Sequence, residues 1–235
     1  MFNPAVEKLS AAWRDAARRG VPPGKDQIAA DLQTIGQGHW RIDKAALQVQ
    51  RTSAVPLSLN AIAKGVILDK VASRMLDSSS KIAGVMVNIG GDIRVAGALS
   101  VDVEIANPLT DAIGSVGIGS LRVTEGAVAT SGNSERAFNV AGQSYSHIID
   151  PRTGIPVTQT TSATVLADVA STADVVATIC NVLSVSDSIR LVNSLPGVEC
   201  LLVSLQRVRI GHRTLASQQR QTLPRLKMHR LYLKC

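Results

Sequence analysis

Between Ala129 and Pro156 the chain reads ATSGNSERAFNVAGQSYSHIIDPRTGIP, which gathers hydroxyls, the imidazole of His147, the carboxylate of Asp150 and the guanidinium of Arg152 into one short span. An imidazole titrates near neutrality, so His147 can take a proton from a reacting hydroxyl, with Asp150 or Arg152 as orienting neighbours. A second candidate set is Asp174 and Thr178, four residues apart and so on one face of a helix. A carboxylate and a hydroxyl in that relation are hard oxygen ligands suited to Mg²⁺, which needs few protein ligands when substrate phosphates supply the rest. The same residues also serve a bland purpose: Asp174 as the third-position acid of a capping box opened by Ser171, Thr178 as a hydroxyl bonded back to its own helix. On spacing alone the bland reading has the stronger claim.

Those side chains need elements to hold them. Arg136 to Val140 and Ser144 to Ile149 alternate and pair as two strands around Ala141-Gly142-Gln143. Asp150-Pro151-Arg152-Thr153-Gly154 is then a turn, with Pro presetting the backbone, Asp bonding forward and Gly taking the strained position. Further upstream, Asn3 caps a helix from Pro4 to Arg19 whose apolar face carries Val6, Leu9, Trp13 and Ala17. A second helix runs from Lys25 to Thr34, and Trp40 to Val49 holds short strand-like runs. Pro56 to Leu59 reads as a strand entering the corner Asn60-Ala61-Ile62-Ala63-Lys64-Gly65, after which Val66, Leu68, Val71, Met75 and Leu76 form a helical stripe. A strand, a small-residue corner and a helix start can turn backbone N–H groups toward an anion, although the spacing is not that of a P-loop.

Val85 to Ile89 and Ile93 to Ala96 flank Gly90-Gly91-Asp92 as a hairpin, and Val101 to Ala106 and Val116 to Val123 add strands. GSVGIG at 114–119 departs from the dinucleotide fingerprint, so a Rossmann reading is rejected. Ser162 to Leu166 is a strand, Ser171 to Leu183 and Ser186 to Leu195 are helices, and Glu199 to Val203 with a short strand near Val208 closes the chain.

Composition narrows the function classes. The 45% of hydrophobic residues among 235 support a sizeable core, while six aromatic rings in all leave no platform for stacking bases. A net charge of +7 suggests nucleic acid, but eight of the 25 Lys/Arg lie in the acid-free stretch 207–235, leaving 17 basic against 18 acidic residues elsewhere. Nucleic acid is therefore not an expected partner. Cys180, Cys200 and Cys235 are too few and too scattered for a disulfide framework or a zinc site. No signal peptide or membrane-spanning run opens the sequence, so as given the chain is expected to stay where it is made, in the cytoplasm.

Five blocks in order, LSLNAIAKGVILDKV, VMVNIGGDIRVAG, ATSGNSERAF, SHIIDPRTGIPV and ADVVATIC, resemble the ApbE family of FAD:protein FMN transferases over nearly all of residues 2 to 205. The resemblance implies an α+β, T-fold-like single domain of mixed or antiparallel sheets with packed helices over residues 1–206, followed by a basic tail at 207–235. It implies a reaction in which FMN passes from FAD to a Thr or Ser hydroxyl of a partner protein, a redox-complex subunit, with Mg²⁺ on the pyrophosphate and AMP as the leaving product. Carried over residue by residue, the metal would be held by the Ala63 carbonyl, Asp174 and Thr178. Flavin contacts would come from Phe2, Asn3, Asn60, Val66 and Ile148, and the family's functionally important histidine matches His147. Asn3 stands where the family commonly has Asp, and Asn60 where Gly, Ser or Thr is common. An N-terminal strand-and-helix region usual in the family is not in this sequence. In the family that region contributes to the flavin pocket; a periplasmic location, with any membrane attachment made through the N-terminus, is what the resemblance implies. The alternatives are a non-catalytic FAD-binding scaffold and a pyrophosphatase that releases FMN and AMP from FAD.

Overall fold

Helices and strands form close to where apolar periodicity puts them in a computed structural model that describes residues 3–108, 117–132, 137–158, 160–204 and 208–211. The chain packs as two compact units, Met1–Asn60 with Asn133–Thr158, and Ala61–Gly132 with Gln159–Cys235. Each is an α+β assembly, and every strand pair among the described residues is antiparallel.

In the first unit Asn3 is the expected cap. Its side-chain oxygen accepts from Ala5 N–H at 3.0 Å, opening a 3-10 turn Pro4–Val6 that runs into α1 (Glu7–Arg19). Its amide nitrogen donates to the Ile35 carbonyl, 3.1 Å away at the end of α2 (Lys25–Ile35). Ala5, Leu9, Trp13 and Ala16 form the buried face of this segment, and Val140 and Ile149 complete its core. Strands β1 (Trp40–Asp43) and β2 (Gln48–Arg51) form an isolated hairpin that leaves Ile42, Leu47 and Val49 exposed. The expected strand at Pro56 to Leu59 does not form. Pro56 has no N–H for a ladder, and Ser58 N–H goes to the Pro4 carbonyl instead, at 2.8 Å.

The second unit is built on a six-stranded sheet in the order β12-β11-β10-β7-β4-β3. In chain order, its strands are β3 (Gly84–Ile89), β4 (Asp92–Gly97), β7 (Gly126–Gly132), β10 (Ser162–Ala167), β11 (Glu199–Val203) and β12 (Val208–Gly211). β3 and β4 join through Gly90-Gly91, both at positive φ, which is the turn their strand twist requires. Strand alternation sorts the sheet's two faces. Ala127, Ala129, Ala163, Val165, Cys200 and Leu202 face α3 (Ala63–Ser78), α4 (Ala170–Val182) and α5 (Val185–Ser194). Val128, Leu201 and Val203 face the ribbon of β5 (Val101–Ile105) and β6 (Gly119–Val123). Alanine-rich strands under α4 let the helix lie close on the sheet.

Some boundaries differ from the sequence expectation. The stripe of α3 runs through Gly65, Leu68 and Ala72, while Met75 is turned to solvent. Cys180 and Cys200 are buried free thiols; hydrogen bonding with Cys200 and burial push the Cys180 thiol far above its ordinary value, which makes it inert. Among the described residues no helix is long and apolar enough to cross a membrane. The basic stretch contributes β12, and its residues from 212 on lie outside the described residues.

Candidate functional site

Gly65, in the first turn of α3, is pressed against the start of α4. A Cβ there would sit 2.4 Å from the Ala170 carbonyl oxygen and 2.6 Å from Ser171 Cα, so no other residue allows this approach without backbone movement. The contact brings two helix N-termini together, each with unpaired N–H groups and a positive dipole end. Each helix supplies the other's anion. Asp69, nearly two turns into α3, accepts from Ala170 N–H at 2.7 Å and Ser171 N–H at 2.9 Å. Asp174, one turn into α4, accepts from Gly65 N–H at 3.0 Å. The capping-box reading of Asp174 is thereby corrected. α4 starts at Ala170 with no side-chain cap of its own, and Asp174 reaches across to α3 because Asp69 already satisfies the α4 N–H groups.

The charges around this corner are concentrated. Asp174 is 5% exposed; burial raises its pKa above the ordinary range, Gly65 N–H acts to lower it, the nearby Asp92 raises it further and Lys64 lowers it. Asp92, 2% exposed, accepts from Thr130 N–H at 3.2 Å through Oδ1 and has Lys64 Nζ 2.6 Å from Oδ2. Thr178 does bond back to its own helix, its hydroxyl donating to the Asp174 carbonyl at 3.2 Å. A hydroxyl that donates still has oxygen lone pairs to offer. Ala63, the first residue of α3, has a carbonyl oxygen with a lone pair beyond its helix bond. Asp174, Thr178 and the Ala63 carbonyl thus offer hard oxygens, the donor type that suits Mg²⁺. Among the described residues no group of three or more His, Cys, Asp or Glu is arranged around a metal position.

In the other unit, the turn after the hairpin forms as expected. Asp150 O accepts from Gly154 N–H at 2.8 Å and Asp150 Oδ1 from Arg152 N–H at 2.8 Å, with Gly154 at φ 72°. The Arg152 guanidinium closes on the same carboxylate, with Nη2 2.6 Å from Oδ2. Burial acts to raise the Asp150 carboxyl, but hydrogen bonds from the Arg152 side chain and backbone, with its charge, outweigh it and hold the group below the ordinary range. Trp13 Nε1 donates to the Gly154 carbonyl at 3.0 Å, anchoring the turn on α1.

The second strand of the hairpin is shorter than expected, and Arg136, the expected start of the first, lies outside the described residues. Strands β8 (Phe138–Val140) and β9 (Gln143–Tyr145) meet at Ala141-Gly142, both at positive φ, and β9 stops before His147. His147 lies instead in a bend, half-buried with Nδ1 shut off from solvent. Ser146 Oγ accepts from Ile148 N–H across it at 3.0 Å, and Ile148 O accepts from Val157 N–H at 3.0 Å, so the backbone is pinned on both sides.

Of the candidate residues, Ala63, Val66, Asp174 and Thr178 fall in the second unit, and Asn3, Asn60, His147 and Ile148 in the first. Val66 is half-buried on α3, Ile148 is buried, and Asn60 is exposed in the turn before Ala61. Phe2 lies outside the described residues. Asp69, Asp92 and Lys64 were not singled out from the sequence. Their only signal is position, since Lys64 sits inside the corner, Asp92 follows the Gly pair and Asp69 stands one turn past Gly65.

The sequence model of the ApbE family matches residues 1–202. An FAD:protein FMN transferase of Treponema pallidum is 32% identical over 217 residues, covering 86% of this chain and 60% of that protein. One from Rhodobacter capsulatus is 35% identical over 185 residues, covering 76% of this chain and 34% of that protein. The crystal structure of the ApbE protein of Thermotoga maritima superposes with a TM-score of 0.76 at 29% identity, over 89% of this chain and 69% of that one. The Pseudomonas stutzeri flavinyl transferase ApbE in its apo form is alike in fold, with a TM-score of 0.69 at 23% identity over 89% of this chain and 66% of that one. The chain therefore spans three fifths or less of these two curated relatives. With a family pattern running through both units and an architecture shared with solved members, the chain belongs to the ApbE family.

Proposed function

We propose that this chain is a flavin transferase that takes FAD, moves its FMN portion to a Ser or Thr hydroxyl of a partner protein and releases AMP. The observation that carries the reading is the corner where the buried Asp174 carboxylate meets the first turn of α3 through Gly65 N–H, inside two of the sequence blocks that carry the family resemblance.

In the reaction, the acceptor oxygen attacks the FMN-side phosphorus and forms a phosphoester. The bond from that phosphorus to the bridging oxygen breaks, and its electron pair leaves with AMP. Asp174, Thr178 and the Ala63 carbonyl would hold Mg²⁺, which when bound neutralises charge on the diphosphate. His147 is the assigned base for the hydroxyl proton, its backbone pinned by the Ser146 and Val157 hydrogen bonds. Asn3, Asn60, Val66 and Ile148, with Phe2, are the proposed flavin contacts. A periplasmic setting, at the inner membrane, is part of this proposal and follows from the family resemblance.

Incubation with FAD, Mg²⁺ and an acceptor peptide carrying a Ser/Thr-Gly-Ala-Thr-like segment tests the reading. Covalent flavin fluorescence in a denaturing gel is expected. Free FMN alone would make the protein a pyrophosphatase, and no product with FAD still bound would make it a scaffold. His147→Ala should keep FAD binding and lose transfer; unimpaired transfer removes the imidazole from the mechanism.

A further inference from the structure

Lys64 stands between Ala63 and Gly65 in the first turn of α3, and its ammonium lies 2.6 Å from Asp92 Oδ2. The two partners differ sharply in environment: the Asp92 side chain is 3% exposed, that of Lys64 39%. A carboxylate buried so deeply needs compensation, and it has Thr130 N–H on one oxygen and the ammonium beside the other. The ammonium nevertheless approaches Oδ2 off the line of a directed hydrogen bond. An ammonium has three N–H donors, and this partnership occupies at most one of them. Among the described residues the arrangement anchors a cation at one point and leaves most of its donor capacity uncommitted, at a helix start whose Gly65 N–H is already taken by Asp174.

We propose that Lys64 is the cationic contact for the diphosphate of the bound dinucleotide, and that Asp92 is the positioning residue that holds its ammonium at the start of α3. This rests on the flavin transferase reading. As the phosphoanhydride bond breaks, negative charge gathers on the bridging oxygen that departs with AMP, and a fixed ammonium favours that departure. A lysine serving only to neutralise Asp92 would have no such effect on a ligand.

The two roles separate in binding titrations of the full chain with FAD and with riboflavin, which carries the same ring system and no phosphate. Lys64→Met should weaken FAD binding about tenfold or more, the scale of one charge-assisted contact, and leave riboflavin binding unchanged. Lys64→Arg should restore most of the FAD affinity. The double variant Lys64→Met with Asp92→Asn removes both charges but keeps an acceptor for Thr130 N–H; it should melt close to the native protein yet bind FAD as weakly as Lys64→Met, and it serves where the single variant fails to fold. In turnover, Asp92→Asn should raise KM for FAD, with Asp92→Glu restoring part of it. Native-level FAD affinity in Lys64→Met or in the double variant overturns the proposal while the functional reading stands. Failure of the unaltered protein to bind FAD overturns that reading and the proposal with it.

Discussion

The two chemistry-bearing regions are built on opposite principles. The turn from Asp150 to Gly154 is assembled from neighbours in sequence: a carboxylate bonding two residues on, a proline, and a glycine at positive φ. The corner of α3 and α4 is assembled from residues about a hundred apart, Gly65 with Asp174 and Asp69 with Ala170 and Ser171. The first is shaped by local backbone preferences and faces water through Arg152; the second exists only when two helix starts are packed together. Buried, long-range carboxylates should therefore be costly to alter, and the local turn cheap.

Substitutions graded from the corner to the turn put that contrast at risk. Asp174→Asn keeps an acceptor for Gly65 N–H but removes the charge, so stability should stay near native while FMN transfer disappears in the gel assay; retained transfer would take Asp174 out of the metal site. Gly65→Val places side-chain atoms where the Ala170 carbonyl sits. It should cost about 3 kcal/mol in urea unfolding, at the upper end for overpacking, and a value near zero would mean that α4 yields easily. Asp69→Ala strips two charge-assisted bonds from the start of α4 and one partner from Arg94, 3.5 Å away. A loss of about 2 kcal/mol is expected from the usual worth of such bonds.

The smallest effect belongs to the turn. Because Arg152 holds the Asp150 carboxyl below its ordinary range, the pair contributes stability that is fully present above the unfolded carboxylate pKa, about 4. That contribution is lost as pH falls through the lower folded value. Arg152→Ala should narrow the difference in melting temperature between pH 6 and pH 3 only slightly, since the guanidinium is 59% exposed and screened. A shift as large as that of Asp69→Ala would erase the distinction between the regions.

Helix and strand positions were legible because they follow from periodicity and caps, as Asn3 before Pro4 and the Gly90-Gly91 turn show. The strand assigned to Pro56 to Leu59 misread apolar residues that follow a proline and lack a ladder partner. Ending the hairpin at Ile149 misread an alternation that continues past the last paired residue, Tyr145. The capping box misread Asp174, whose spacing from Ser171 is right for a cap and whose side chain points elsewhere.

By itself, the order of residues determined the turn at Asp150, the start of α1, the period-two faces of the sheet strands and the family pattern. Each depends on groups a few positions apart or on side-chain types in a row. Only tertiary structure decided that Asp69 and Asp174 would exchange helix starts, that Gly65 had to lack a side chain, and that Lys64 would stand over a buried Asp92. The reason is physical: an unpaired N–H or a buried carboxylate must find a partner, but a sequence does not say which distant segment the core will bring within reach.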